Sequence, residues 1–153
     1  MRLPITALRR TPEEKRDVAL SWRRPDLPFF AAGACHVLAF AFLDAYPRAG
    51  FRPRFIRPAP GCGGSHVYVT DGLTAFDAQG YVPEAELLAE HRAAYLALDG
   101  EWRSEVLDLE VPLAEFCAAN NHRAPWDFPP GVWERAQAYL RTFPAPPASA
   151  SRA

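Results

Sequence analysis

The sequence predicts an α+β fold in which a buried helix leads into an antiparallel sheet. The first observation is an apolar segment over residues 34–45, which is hydrophobic almost all round, as expected for a helix that is buried on several sides. The second is a β-rich segment from Ser65 to Thr70, followed by Asp71-Gly72 and by a segment from Leu73 to Gln79 that can return as its partner strand. We therefore expect a central helix and a β-hairpin.

A shorter helix precedes the central one. Thr11 fits the N-cap, Pro12 the first helical position, and Glu14 the position three residues after the cap, which completes a capping box. We predict that this helix continues to about Trp22.

The segments on either side of the central helix contain prolines. Because a residue before proline avoids the helical region, Pro25 and Pro28 predict an extended segment that ends at Gly33. After the central helix, residues 51–57 are expected to form a first strand. Pro53 predicts that this strand lies at the edge of the sheet, since proline cannot donate to a ladder.

Beyond the hairpin, residue patterning predicts four further elements. They are a helix over 84–98, a strand over 105–111, a short helix over 112–119 and a last helix over 131–143. Residues 144–153 are mostly Pro, Ala and Ser and have nothing to bury. We predict a single domain over residues 1–143 and a disordered tail over 144–153.

The charge balance argues against two classes of partner. The 17 basic and 18 acidic residues give a net charge of −1 and are spread along the 153-residue chain. We therefore expect no binding to nucleic acid and none to a membrane surface. The longest apolar run, residues 29–43, falls short of the roughly 20 residues that span a bilayer.

Two features bear on the cellular compartment. The first ten residues lack the apolar stretch of a signal peptide. The three cysteines fit a reducing environment in which thiols stay free. Together they favour a cytoplasmic protein, or an effector delivered by a route that needs no cleaved signal.

Three residues have the chemistry of a cysteine nucleophile site. Cys35 starts the central helix, where the positive end of the helix dipole lowers the pKa of a thiol. His66 opens a strand and Asp77 lies on its partner, and the alternation of side chains allows the two to lie side by side. A carboxylate there would fix the tautomer of the imidazole. The three predict covalent catalysis through a thiolate.

These residues stand in motifs that resemble the papain-like cysteine hydrolase superfamily, in particular a small bacterial and phage branch related to the NlpC/P60 peptidases. The matching segments are Gly33 to Ala39, Ser65 to Val69 and Phe76 to Gly80. The resemblance implies a papain-like arrangement in which the helix that begins with the cysteine packs on an antiparallel sheet.

The resemblance also implies roles for the three residues. Cys35 would be the nucleophile, His66 the general base and acid, and Asp77 the group that orients His66. The reaction would be that of a peptidase, amidase or deamidase on a peptide or protein amide, through a thioester, and we expect no cofactor. Many papain-like enzymes bind the oxyanion with a glutamine before the cysteine. Residues 28–30 are Pro, Phe and Phe here, so the N–H of Cys35, with or without another N–H nearby, would have to serve.

Other interpretations stay open at this point. Cys62, in a glycine-rich loop, could be a rival nucleophile or a redox partner of Cys35. His36 points about 100° away from Cys35 on a helix, so we predict that it packs or supports the site rather than acting as the base. Cys35, His36, Cys62 and His66 could together bind zinc in an interaction module. The protein could also keep the fold without catalysis, as a binding or accessory protein of a phage or mobile element.

Overall fold

The computed structural model describes residues 2–147, which form an α+β structure. The strands are β1 Arg52–Pro58, β2 His66–Thr70, β3 Thr74–Asp77, β4 Gly80–Pro83 and β5 Ser104–Asp108. The α-helices are α1 Pro12–Arg16, α2 Val18–Trp22, α3 Asp26–Ala31, α4 Cys35–Ala45, α5 Glu84–Asp99, α6 Leu113–Asn120 and α7 Val132–Leu140. Short 3₁₀ helices cover Ile5–Leu8 and Pro125–Asp127. The five strands make one antiparallel sheet in the order β4-β3-β2-β1-β5.

The predicted capping box is confirmed, but the helix after it is broken. The N–H of Glu14 donates to Thr11 Oγ1 at 3.1 Å, and the N–H of Thr11 donates to Glu14 Oε1 at 2.7 Å. Asp17 is extended, and its carboxylate accepts the N–H of Ala19 at 2.9 Å. The prediction of one helix to Trp22 is therefore wrong, because Asp17 provides a second N-cap that divides it into α1 and α2.

The extended segment predicted around Pro28 is also wrong. Pro25 is the N-cap of α3 and Pro28 lies within its first turn. The first N–H groups of a helix have no intrahelical acceptor, so a proline there removes no hydrogen bond. α3 buries Phe29 and Phe30 completely. A turn at Gly33, with φ +105°, then leads into α4.

β1 lies inside the sheet between β2 and β5, not at the edge that Pro53 predicts. The carbonyl of Pro53 accepts the N–H of Leu109 on the β5 side at 3.0 Å. Since the N–H and C=O of a strand residue point to the same side, the missing N–H of Pro53 also faces β5. Pro53 lies just outside this pairing, because the next residue, Arg54, pairs with Asp108, the last residue of β5. The proline therefore interrupts no paired part of the sheet.

The hairpin is present, and a strand that the sequence patterning missed extends it. β3 ends at Asp77, and the chain turns at Gly80, with φ +96°, into β4. β4 has four residues and ends in Pro83, so it carries too little alternation to be recognised from sequence.

Two helices cover opposite faces of the sheet. α4 packs on the face that carries Phe55, Val67 and Phe76, and α7 packs behind it. α5 packs near the other face, where residues of the sheet, of α5 and of the following loop form a smaller apolar cluster: Ile56, Tyr68, Ala75, Val82, Leu87, Tyr95 and Trp102. This sandwich fixes α4 against β2 and sets the position of the first residue of α4.

The end of the described chain is attached to the sheet. The hydroxyl of Tyr81 donates to the carbonyl of Pro144 at 2.8 Å. Residues 148–153 lie outside the described residues, so the disorder predicted there stays a prediction. Among the helices of residues 2–147, none is long and apolar enough to cross a membrane.

Candidate active site

Cys35 is the first residue of α4 and lines a cleft. Cys35 is buried, with 7% of its surface exposed, and the cavity that it lines has a volume of about 1150 Å³. The backbone N–H of Val67 on β2 donates to Cys35 Sγ at 3.5 Å. The sulfur is therefore held between the start of the helix and the neighbouring strand.

His66 is the first residue of β2 and is held by Asp77. Its Nε2 lies 3.1 Å from Asp77 Oδ2, and both side chains are buried. Because a carboxylate accepts at Nε2, this nitrogen carries a proton and Nδ1 is the ring nitrogen left for Cys35. The structure thus brings together Cys35, His66 and Asp77, the three residues that the sequence analysis selected.

Asp77 accepts four hydrogen bonds, including two from a residue that the sequence analysis did not select. Arg2 donates from Nη1 to Oδ1 at 3.2 Å and from Nη2 to Oδ2 at 3.1 Å, and the N–H of Gln79 donates to Oδ1 at 2.9 Å. Burial alone would raise the pKa of Asp77, but His66 and Arg2 outweigh it and lower the pKa to about 2. Asp77 is therefore a carboxylate at every pH at which the protein would work.

The electrostatics of the site favour a thiolate and an imidazolium. Burial alone would raise the pKa of Cys35, but interactions with His36 and His66 hold it well below its usual range. Burial lowers the pKa of His66, whereas Asp77 and the Cys35 thiolate raise it, and the result is about 10. The proton of the thiol is therefore expected on His66.

His36 approaches Cys35 more closely than its position on the helix suggested. It is fully buried, and its Nε2 lies 2.7 Å from the carbonyl of Arg123. Burial lowers the pKa of His36, but contacts with Cys117 and Cys35 outweigh it and raise the pKa to about 9. Nδ1 of His36 and Nδ1 of His66 both lack a hydrogen-bond partner among residues 2–147. No sequence signal reveals the His36 contact, since it depends on how α4 packs on the segment around Arg123.

Residues of α5 and the following loop hold the glycine-rich loop that leads to His66. His91 Nε2 donates to the carbonyl of Gly64 at 2.7 Å, and Trp102 Nε1 donates to the carbonyl of Gly63 at 2.7 Å. The His91 ring also stacks on His66, with centroids 5.6 Å apart. Burial and the charge of His66 lower the pKa of His91 to about 4, so His91 stays neutral beside the imidazolium.

Cys62 lies in the same loop and lines the cleft, and in the described residues all three cysteines are free. The zinc interpretation required Cys35, His36, Cys62 and His66 to surround one point. Within the described part of the chain, no group of three or more His, Cys, Asp or Glu side chains is placed to hold a metal ion. Residues 2–147 therefore offer no ligand set for the zinc module.

The chain was compared with protein-family models, with curated proteins and with solved structures, and none of the three comparisons gave a match. The function is therefore inferred from the site itself.

Proposed function

We propose that this protein is a cysteine-dependent hydrolase or acyl transferase with a papain-like arrangement, which attacks an amide bond of a peptide or protein. The observation that carries the proposal is the Cys35 thiol at the start of α4, beside a His66 ring whose far nitrogen is held by the buried Asp77. Structural cysteines in apolar cores do not need a neighbouring imidazole and a buried carboxylate, whereas nucleophilic cysteines do.

The first half of the reaction forms a thioester. The Cys35 thiolate attacks the carbonyl carbon, a C–S bond forms, and the carbonyl oxygen becomes an oxyanion. The C–N bond then breaks as His66 donates its Nδ1 proton to the leaving nitrogen, which departs as an amine. Asp77 keeps Nε2 protonated throughout, so that Nδ1 is the nitrogen that exchanges protons.

The second half releases the acyl group. A water molecule, or an amine in a transferase, loses a proton to His66 Nδ1 as it attacks the thioester carbonyl. The C–S bond breaks, the acid or the new amide leaves, and the thiolate and imidazolium are restored. Peptidase, amidase, deamidase and transglutaminase reactions share these steps and differ in which nitrogen leaves and what attacks the thioester.

The start of α4 offers hydrogen-bond donors for the oxyanion. The first N–H groups of an α-helix, here including those of Cys35 and His36, have no intrahelical acceptor. The N-cap is Ala34, which has no side chain that could accept from them. These N–H groups, at the positive end of the helix dipole, can therefore stabilise the oxyanion in place of a glutamine side chain.

The proposal is tested by acylation with p-nitrophenyl acetate. We expect rapid release of one equivalent of nitrophenol and an acetyl group on the peptide that contains Cys35, identified by mass spectrometry. Cys35→Ser should remove both signals and Cys62→Ser should retain both, which excludes the loop cysteine as nucleophile. Acetylation that follows Cys62, or none at all, would contradict the proposal.

We further propose that the protein works in a reducing compartment such as the cytoplasm. A thiolate nucleophile must stay reduced, and Cys35 and Cys62 line one cleft as free thiols.

A further inference from the structure

The cleft above Cys35 is basic, although the whole chain is slightly acidic. The chain has a net charge of −1, yet the side chains that line the cleft include five basic and only two acidic ones. The five basic side chains are Arg9, Arg10, Lys15, Arg103 and Arg123. A concave surface lined by one sign of charge attracts ligands of the opposite sign.

Arg10 is a cleft cation that lies close to Cys35. Its side chain lies over Gly33, where an added Cβ would be 2.9 Å from both Cδ and Nε of Arg10. Gly33 precedes Cys35 by two residues, so their Cα atoms are at most about 7 Å apart. The charges of Arg10 and the Cys35 thiolate are close enough to interact.

The guanidinium of Arg10 has no hydrogen-bond or salt-bridge partner among residues 2–147, although a guanidinium carries five N–H donors. The carboxylate of Glu14 attracts Arg10 electrostatically but makes its short contacts with other groups. Its Oε1 accepts the N–H of Thr11 at 2.7 Å, and its Oε2 lies 3.5 Å from Arg24 Nε.

A second guanidinium adds to the positive charge near Arg10. Arg123 interacts with Arg10 as a like charge. Its Nη2 donates to the carbonyl of Lys15 at 2.8 Å, while its buried Nη1 has no partner in the described structure. Two cations that repel each other and have unused donors beside a nucleophile are an unfavourable arrangement, which a bound anion would relieve.

We infer that the substrate carries a carboxylate within a few bonds of the attacked carbonyl, and that Arg10, with Arg123 beside it, binds this carboxylate. The inference rests on the proposed function, since it names the substrate class for the Cys35 site. Peptides carry carboxylates at their C-termini and on Asp and Glu side chains, and a guanidinium matches a carboxylate with two parallel hydrogen bonds.

The test compares two reagents that alkylate Cys35 and differ in charge. Iodoacetate carries a carboxylate and iodoacetamide carries a neutral amide, and both react with the thiolate. The ratio of their rates therefore cancels any change in the fraction of thiolate. The rates are measured on the peptide that contains Cys35 by mass spectrometry, at fixed pH and low salt, with glutathione as the reference thiol.

We expect a higher iodoacetate to iodoacetamide ratio for Cys35 than for glutathione. Arg10→Gln should reduce the Cys35 ratio by about three- to tenfold, the effect of losing one charged hydrogen-bond donor. Arg10→Lys, which keeps the charge, should retain most of the ratio. Arg141→Gln removes the same charge from an exposed position outside the cleft, and should change the ratio less than twofold.

The outcomes separate this inference from the proposed function. Rapid alkylation by both reagents, with a ratio that Arg10→Gln leaves unchanged, would overturn the carboxylate inference and leave the nucleophile standing. Alkylation by both reagents at the pace of an ordinary thiol would contradict the nucleophile itself and, with it, the inference. The rate with iodoacetamide also shows whether each variant is folded at the site.

Discussion

In His36 and His66 alike, Nε2 makes a hydrogen bond and Nδ1 has no partner within residues 2–147, and the groups at Nε2 separate their roles. His66 Nε2 lies 3.1 Å from Oδ2 of the Asp77 carboxylate. His36 Nε2 lies 2.7 Å from the backbone carbonyl oxygen of Arg123. A carboxylate stabilises an imidazolium much more than a neutral carbonyl does. The proton of Cys35 therefore goes to His66, while His36 donates from Nε2 to the carbonyl of Arg123.

This assignment predicts unequal effects of two substitutions. Asp77→Asn removes the anion that stabilises the His66 imidazolium, so the rate of Cys35 acetylation by p-nitrophenyl acetate at neutral pH should fall by at least about a hundredfold. His36→Gln keeps an amide N–H that can donate to the Arg123 carbonyl, so it should lower the rate of Cys35 acetylation by less than about tenfold. Circular dichroism checks that both variants are folded. A greater loss in His36→Gln than in Asp77→Asn would make His36 the base.

At the scale of elements, the site depends on the contacts by which α5 and the segment after it hold the loop before β2. His91 and Trp102 bind the carbonyls of Gly64 and Gly63. The Tyr95 ring lies so close to Gly64 that an added Cβ would be 2.7 Å from its Cζ. The loop is thus fixed immediately before His66, and this fixes the start of β2.

Substitutions at two neighbouring glycines test whether the loop is held in this way. Gly64 has φ +96°, and a Cβ there would overlap Tyr95, so Gly64→Ala should destabilise the fold by about 1–3 kcal/mol and slow the alkylation of Cys35. Gly63→Ala is the matched control, because its Cβ would meet nothing within 4 Å and its φ is not in the left-handed region. The measurement is urea unfolding of both variants. Equal stability of Gly64→Ala and Gly63→Ala would show that the loop is not held as described.

The elements also show which parts of the fold the sequence could predict. α4, the hairpin and α5 follow from apolar patterning and from Asp71-Gly72, because those signals lie within the elements themselves. α3 and β4 were missed: a proline in a first turn looks the same in sequence as one that prevents a helix, and a strand of four residues has no clear period.

The sequence likewise predicts only some residues of the candidate site. The positions of His66 and Asp77 follow from strand alternation across a local turn, and that of Cys35 from the start of an apolar helix. Arg2 binds Asp77 from 75 residues away, and His36 meets the carbonyl of a residue 87 positions later. Contacts over such separations depend on the packing of the whole chain, so no local pattern reveals them.

At the scale of the whole molecule, the site lies where the two layers meet. Cys35 belongs to the core on the α4 face, whereas His66 and Asp77 stand on the same side as Tyr68 and Ala75, the side near α5. Side chains from opposite faces of a sheet cannot meet through it, but they can meet where a strand begins. His66 is the first residue of β2, so its ring can reach the Cys35 sulfur at that end. Both layers are therefore needed to build the site.

The buried carboxylate links this architecture to stability. The pKa of Asp77 is about 2 in the folded protein, against about 3.9 for an unfolded chain. A lowered carboxyl pKa stabilises the fold above pH 3.9, and this stabilisation is lost as the pH falls towards 2. The full shift corresponds to about 2–3 kcal/mol.

We therefore expect the free energy of unfolding to fall between pH 5 and about pH 2 by some 2 kcal/mol more in the parent than in Asp77→Asn, since the variant has no carboxyl to protonate. Urea unfolding followed at several pH values measures this difference. Parallel pH profiles for the two proteins would mean that Asp77 is not the buried, paired carboxylate described here.

The central claim is that His66 makes Cys35 a thiolate, and the most direct measurement is the rate of Cys35 alkylation by iodoacetamide across pH. In the parent protein, we predict rapid alkylation that sets in well below pH 8, because the Cys35 thiolate forms below the usual thiol pKa of about 8.5. His66→Ala should lose most of this reactivity, and the pKa of its Cys35 should move towards that of a free thiol. A Cys35 that is inert, or that titrates near 8.5 whether or not His66 is present, would contradict the account and favour a protein that binds without catalysing.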